Sequence, residues 1–141
     1  MVEKMDILTS VTLPKEQARN YSPLTLAFLG DGYYELLVRQ KITLEHNMSA
    51  HKLHLAAVKK VRASFQAKAF EKISELLTEE ETEIFRRGRN ANGTVPRSAN
   101  PAEYRKATGL EALFGWLLLI GENKRAEELF EVIYNFKEEK K

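Results

Sequence analysis

The sequence contains no cysteine. That excludes disulfides, thiolate zinc sites and cysteine nucleophiles, and agrees with a cytoplasmic protein. It also has no long apolar run: the longest, 116–120, falls far short of the roughly 20 residues that span a bilayer, so a membrane role is not expected. Residues 1–10 mix charged and apolar side chains and lack the continuous apolar stretch of a signal peptide. There are no repeats, no low-complexity tract and no sustained strand alternation. What remains is an ordinary globular composition of 141 residues, 43% apolar and 30% charged, enough for one domain, 1–141, with a real core.

The net charge of +2 hides a segregated pattern. Residues 47–70 carry Lys52, Lys59, Lys60, Arg62 and Lys68 and no acidic residue. Arg86, Arg87, Arg89, Arg97, Arg105 and Lys106 follow, opposed only by Glu103. The acids concentrate in 71–83 and 122–139. A basic surface on a nearly neutral protein suits a polyanion, although solvated helix faces give the same pattern.

Helical periodicity runs nearly throughout and predicts an all-α bundle. Ser22-Pro23 starts the first strong helix, with serine as N-cap and proline at the first helical position, running to about residue 39. A second helix is expected over about 49–63 and a third over 64–77. A fourth opens on the capping box Thr78–Glu81 and ends near Gly88. The stretch 89–100, rich in Gly, Asn, Ser and Pro, reads as an exposed loop. Asn100-Pro101 opens a long helix to about Ile120, stopped by Gly121. A last helix covers about 122–136, and the tail 137–141 is expected to fray.

Two segments carry chemistry. In Phe28-Leu29-Gly30-Asp31-Gly32-Tyr33-Tyr34-Glu35, Asp31 and Glu35 share one helix face. Each flanking glycine costs a helix interior roughly 1 kcal/mol relative to alanine. Such a cost points to close approach by a helix, a metal shell or a nucleic-acid backbone. In Tyr104-Arg105-Lys106-Ala107-Thr108-Gly109-Leu110-Glu111-Ala112-Leu113-Phe114-Gly115-Trp116, Glu111 sits on an otherwise apolar helix. Thr108 and Gly115 fall on its face. A carboxylate there needs a cation or hydrogen-bond donors, and an arginine or a magnesium ion would each serve.

Phe28-Leu29-Gly30-Asp31 resembles the signature helix of the ribonuclease III family, and Leu110-Glu111-Ala112-Leu113-Phe114-Gly115 resembles its second acidic segment. Met48-Ser49-Ala50-His51-Lys52-Leu53 and Arg86-Arg87-Gly88-Arg89-Asn90-Ala91 are similar to segments of the short bacterial Mini-ribonuclease III branch. The resemblance covers about 22–136. The larger relatives place a glutamate where this chain has Ala27 and an aspartate where it has Thr108, so their set of carboxylates is reduced here to Asp31 and Glu111.

The resemblance implies a ribonuclease III endonuclease-domain bundle without a separate double-stranded-RNA-binding domain. It implies a Mg2+-dependent endoribonuclease that cuts double-stranded RNA to 5′-phosphate and 3′-hydroxyl ends and matures the large-subunit (23S) ribosomal RNA precursor. Asp31 and Glu111 would hold the metal, with Glu35 supporting Asp31 or serving only an ion pair. RNA contacts would come from Arg86, Arg87, Arg89 and Asn90, and from Lys52, Lys59, Lys60 and Arg62. It further implies a homodimer with paired signature helices, to which a stripe of Leu29, Tyr33 and Leu36 would contribute if it is not core, and a large-subunit ribosomal protein as helper. His51 and His54, one turn apart, lack the further ligands of a zinc site. Tyr33, Tyr34 and Trp116 are either base-stacking surfaces or core. The alternatives are a non-catalytic double-stranded-RNA-binding protein with a degenerate fold, motivated by Ala27 and Thr108, and a helical scaffold unrelated to RNA.

Overall fold

The computed structural model describes residues 11–138. The readings of residues 1–10, and of the tail beyond 138, lie outside the described residues. The elements are α1 (Lys15–Arg19), α2 (Pro23–Glu45), α3 (Ala50–Val61), α4 (Ala63–Ile73) with a 3-10 turn (Ser74–Leu76), α5 (Glu79–Arg89), α6 (Pro101–Leu119) and α7 (Asn123–Tyr134). No strand occurs among the described residues, and the fold is all-α.

Most boundaries follow local chemistry. The Thr78 side chain accepts from the Glu81 N–H at 3.1 Å, and the Thr78 N–H donates to Glu81 Oε1 at 2.9 Å, completing the capping box. Asn100 accepts the Glu103 N–H at 3.1 Å ahead of Pro101. Gly121 reverses the chain after α6 with φ +79°, a conformation that disfavours a side chain. Ser22 departs from expectation: its side chain makes no capping bond, and Pro23 alone marks the start of α2.

Two further differences have physical causes. The short helix α1 offers too few residues for periodicity to register. Helix α2 runs past residue 39 to Glu45 because Val38 and Ile42 continue its buried face, and because α7 holds its end. There Lys41 Nζ pairs with Glu131 at 2.7 Å, and the Tyr134 hydroxyl donates to Glu45 at 2.6 Å. The boundary expected at 63–64 falls at Arg62, whose extended backbone (φ −65°, ψ 147°) separates α3 from α4.

Helix α6 is the axis of the bundle. Its residues Leu110, Ala112, Leu113, Phe114, Trp116 and Leu117 are buried. Tyr34 packs edge-on against Phe114 and Phe130, with centroids 5.6 and 5.8 Å away. Tyr33, Tyr34 and Trp116 are therefore core. The buried Glu81 is neutralised by Arg125, whose Nε and Nη2 each donate to it at 2.9 Å.

The crossing of α2 and α6 fixes the functional geometry. A Cβ on Gly30 would lie 1.6 Å from the Glu111 carbonyl oxygen, and one on Gly115 would lie 2.0 Å from the Leu26 carbonyl oxygen. Hydrogen alone fits at both positions, so the two backbones touch. Gly32, by contrast, faces open space: a Cβ there would meet no atom within 4 Å.

Candidate active site

Because Gly30 lies against the Glu111 backbone, its neighbour Asp31 is brought beside the Glu111 side chain. Both line a cleft of about 300 Å³. Ala27 and Phe28 of α2, Gly88 of α5, Arg105 and Thr108 of α6, and the loop residues Ala91, Gly93, Thr94 and Val95 share in its walls. Asp31 is exposed and Glu111 is partly buried.

The electrostatics of this pair are unfavourable as they stand. Burial pushes the Glu111 carboxyl up to about 8. The neighbouring Asp31 carboxyl pushes in the same direction, and Glu35 adds to it. The nearby Gln66 amide alone pulls the other way, toward the carboxylate. Among the described residues neither Asp31 nor Glu111 forms an ion pair with Lys, Arg or His. The structural arginine partner considered for Glu111 is not there. Two converging oxygen donors without a cation fit a hard divalent ion, which binds carboxylates and retains waters or phosphate oxygens. No cluster of three or more His, Asp or Glu suited to a metal occurs among the described residues, so a carboxylate cage is not the arrangement.

Ala27 and Thr108 both face this cleft. The methyl of Ala27 is buried, and the Thr108 hydroxyl donates to the Tyr104 carbonyl at 3.0 Å. The walls are uncharged where larger relatives carry acids. Gly115 lies on the Glu111 face as expected: Gly30 approaches the backbone of both, and a Cβ on Gly115 would meet the Leu26 carbonyl oxygen. Glu35 does not line the cleft and pairs with Arg39 at 3.3 Å.

The basic residues separate into groups. Helix α5 reaches the cleft at Gly88; Arg86, Arg87, Arg89 and Asn90 adjoin that residue in sequence but do not line the cleft. Arg87 donates to the Arg19 and Tyr21 carbonyls and so ties α5 to the end of α1 and the turn before α2. Arg86 pairs with Glu83 at 2.9 Å, and Arg89 lies over the Phe85 ring and donates to Asn90 Oδ1 at 3.3 Å. Lys52, Lys59, Lys60 and Arg62 do not line the cleft. Lys60 donates to the Tyr134 carbonyl at 2.8 Å over the Phe65 and Tyr134 rings, and Arg62 pairs with Glu138 at 3.2 Å. Lys52 and Lys59 are exposed. His51 and His54 are exposed on α3.

Two residues escaped the sequence reading. Arg105 lines the cleft and makes no ion pair among the described residues. Its spacing from Thr108 and Glu111, successive steps of three on one helix, was the available signal. Gln66 was hidden as a single polar residue within the apolar set of α4.

An all-α bundle with an acidic pair at the crossing of two long helices is the architecture of a ribonuclease III domain. The Ribonuclease III domain model matches residues 24–122, and the chain belongs to the ribonuclease III family. Its relatives place it in the Mini-ribonuclease 3 branch. Mini-ribonuclease 3 of Thermoanaerobacter sp. (strain X514) is 45% identical over 121 residues, covering 85% of each chain. That of Symbiobacterium thermophilum is 40% identical over 133 residues, covering 94% of this chain and 96% of the relative. A crystal structure of a Fusobacterium nucleatum protein superposes with a TM-score of 0.77 at 35% identity, covering 84% of this chain and 97% of the other.

Proposed function

We propose that the protein is an endoribonuclease that hydrolyses double-stranded RNA with Mg2+ held by Asp31 and Glu111. The observation that carries this reading is the convergence of these two carboxylates, with no protein cation between them, in an open cleft. A bound divalent cation supplies Lewis acidity toward the scissile phosphate and ionises the attacking water. Asp31 holds the solvent side of that position and Glu111 the core side. Arg105 neutralises a phosphate oxygen at the cleft wall. Attack on phosphorus with departure of O3′ leaves 5′-phosphate and 3′-hydroxyl ends. Arg86, Arg89 and Asn90 extend the contact along the backbone outside the cleft, with exposed Lys52 and Lys59 available farther out. Contacts of this kind read A-form shape more than sequence. The natural substrate in this reading is the 23S ribosomal RNA precursor, presented with the help of a large-subunit ribosomal protein.

A homodimer completes the proposal, because two cuts across a duplex need two sites. Leu24, Phe28 and Leu36 form an exposed apolar ridge along α2, with Phe28 82% exposed. Gly32 lies open between Phe28 and Leu36. A second copy of the same helix would cover this ridge. The expected stripe of Leu29, Tyr33 and Leu36 is divided in the fold: Tyr33 is buried, Leu29 packs on the core, and only Leu36 stays outside. Phe28→Asp is expected to shift the protein from dimer to monomer in light scattering at micromolar concentration. A variant that stays dimeric removes α2 from the interface.

The whole proposal is tested on an end-labelled RNA duplex with Mg2+ or with EDTA. Cleavage is expected only with the metal, with binding that weakens steeply as salt rises. Salt-dependent binding without cutting would favour the second reading, a duplex-binding protein, to which the uncharged walls at Ala27 and Thr108 lend support.

A further inference from the structure

Tyr104, Thr108 and Glu111 follow one another at steps of four and three along one face of α6, and all three line the cleft. Of the lining residues, Thr94, Tyr104 and Thr108 carry hydroxyls. That of Thr108 donates to the Tyr104 carbonyl. Thr94 is exposed on the loop between α5 and α6. Tyr104 is half-buried, on a helix. The other tyrosines withdrawn from solvent each have a protein partner for the hydroxyl: Tyr33 has Asn123, Tyr34 the Lys60 carbonyl and Tyr134 the Glu45 carboxylate. The Tyr104 hydroxyl has none among the described residues. A phenylalanine would wall the cleft equally well, and the hydroxyl is left for a partner from outside the chain. Arg105, the next residue, is exposed, lines the same cleft and makes no ion pair among the described residues.

We propose that Tyr104 is the residue by which the cleft tells ribose from deoxyribose, its hydroxyl bonding the 2′-hydroxyl of a nucleotide beside the scissile phosphate. A phenol both donates and accepts, as a ribose 2′-hydroxyl does, and A-form RNA displays those hydroxyls across its wide minor groove. Tyr104 stands two helical turns, about 10 Å along the axis, from Glu111. It therefore meets a neighbouring nucleotide rather than the bond that breaks. Tyr104 and Arg105 then divide the backbone of that nucleotide: the guanidinium takes a phosphate oxygen and the phenol takes the sugar. A helix holds such a contact more precisely than the loop that carries Thr94. This inference rests on the reading of the cleft as the seat of double-stranded RNA.

The test pairs the full chain, as wild type and as Tyr104→Phe, with RNA duplexes in which a single 2′-deoxynucleotide is moved stepwise across the cleavage site. Cleavage is followed with Mg2+ and binding with EDTA. Phenylalanine keeps the ring and removes a hydroxyl that has no protein partner among the described residues, so thermal unfolding should not change. At one nucleotide position the wild type should lose about three- to tenfold in cleavage or affinity, the scale of a neutral hydrogen bond. Tyr104→Phe should lose the same factor on the all-RNA duplex and nothing further at that position. Non-additivity of this kind identifies a direct contact, and at the other positions the two losses should multiply. Thr94→Val should stay sensitive to the deoxynucleotide at the same position. Losses that multiply at every position would overturn the proposal and leave Tyr104 a part of the wall. Coupling found with Thr94→Val and not with Tyr104→Phe would overturn it in favour of the loop. A wild type that binds and shows the coupling without cutting would sink the nuclease reading and leave the Tyr104 contact standing. A wild type that binds no duplex RNA would end both.

Discussion

Gly30→Ala is expected to destabilise the protein by about 4 kcal/mol or more, the range reserved for the most damaging single substitutions. The added methyl would sit 1.6 Å from a backbone carbonyl, that of Glu111, and 2.7 Å from the Gly115 nitrogen. No rotamer change relieves a contact with backbone. The two helices must separate by more than an ångström, which opens the most central contact of the bundle. A total stability of about 5–15 kcal/mol leaves little margin for that. The same displacement carries Glu111 away from Asp31, so whatever fraction folds should also be inactive. Gly32→Ala is the control two residues on. Its methyl meets nothing, and removing a glycine from a helix interior should stabilise the monomer by about 0.5–1 kcal/mol. Thermal unfolding of the two variants decides the matter. Equal, small effects would mean that α2 and α6 do not cross at backbone contact.

These neighbouring glycines also indicate how far the sequence could be read. Both stood out as costly within a helix, and close helix approach was among the causes considered. Only the fold shows that the cause applies to Gly30 and not to Gly32, because a one-dimensional pattern cannot say which helix faces which. Caps were legible where a side chain bonds to backbone a few residues away, as at Thr78 with Glu81 and at Asn100. Ser22 shows that the residue type alone is insufficient. The helix break near Arg62 was legible to within two residues, whereas the extension of α2 to Glu45 depends on contacts with Glu131 and Tyr134, far along the chain, and leaves no local mark. Family resemblance brought Asp31 and Glu111 forward together, and the fold sets both in one cleft. The basic residues were legible as charge but not as geometry. Arg87 and Lys60 look like free cations in the sequence, yet both are engaged with backbone carbonyls. Arg105, with less charge around it, is the one that reaches the cleft wall.

Asp31→Asn and Glu111→Gln are each expected to reduce cleavage about a thousandfold or more, equivalent to about 4 kcal/mol of transition-state stabilisation. Loss of activity alone would not separate a missing ligand from a damaged fold, but the stability of the two forms does. In the metal-free protein Glu111 is raised from an ordinary 4.5 to about 8. The folded chain therefore keeps a proton that the unfolded chain releases once the pH passes about 4.5. Stability is full below that value and is lost progressively as the pH rises toward 8, where the folded carboxyl ionises as well. A glutamine at 111 is neutral throughout and escapes this loss. Without metal, Glu111→Gln should thus unfold at about the same temperature as the wild type at pH 4, and at a higher one at pH 8. Added Mg2+ should raise the unfolding temperature of the wild type at pH 8, where the carboxylate is available, and leave the variant unmoved. The identical shift of wild type and Glu111→Gln on adding Mg2+ would show that the ion binds elsewhere, and the cleft would lose its claim to the chemistry. An inactive variant that is more stable at alkaline pH and indifferent to Mg2+ is the signature of a carboxylate kept at an energetic cost for the cation it holds.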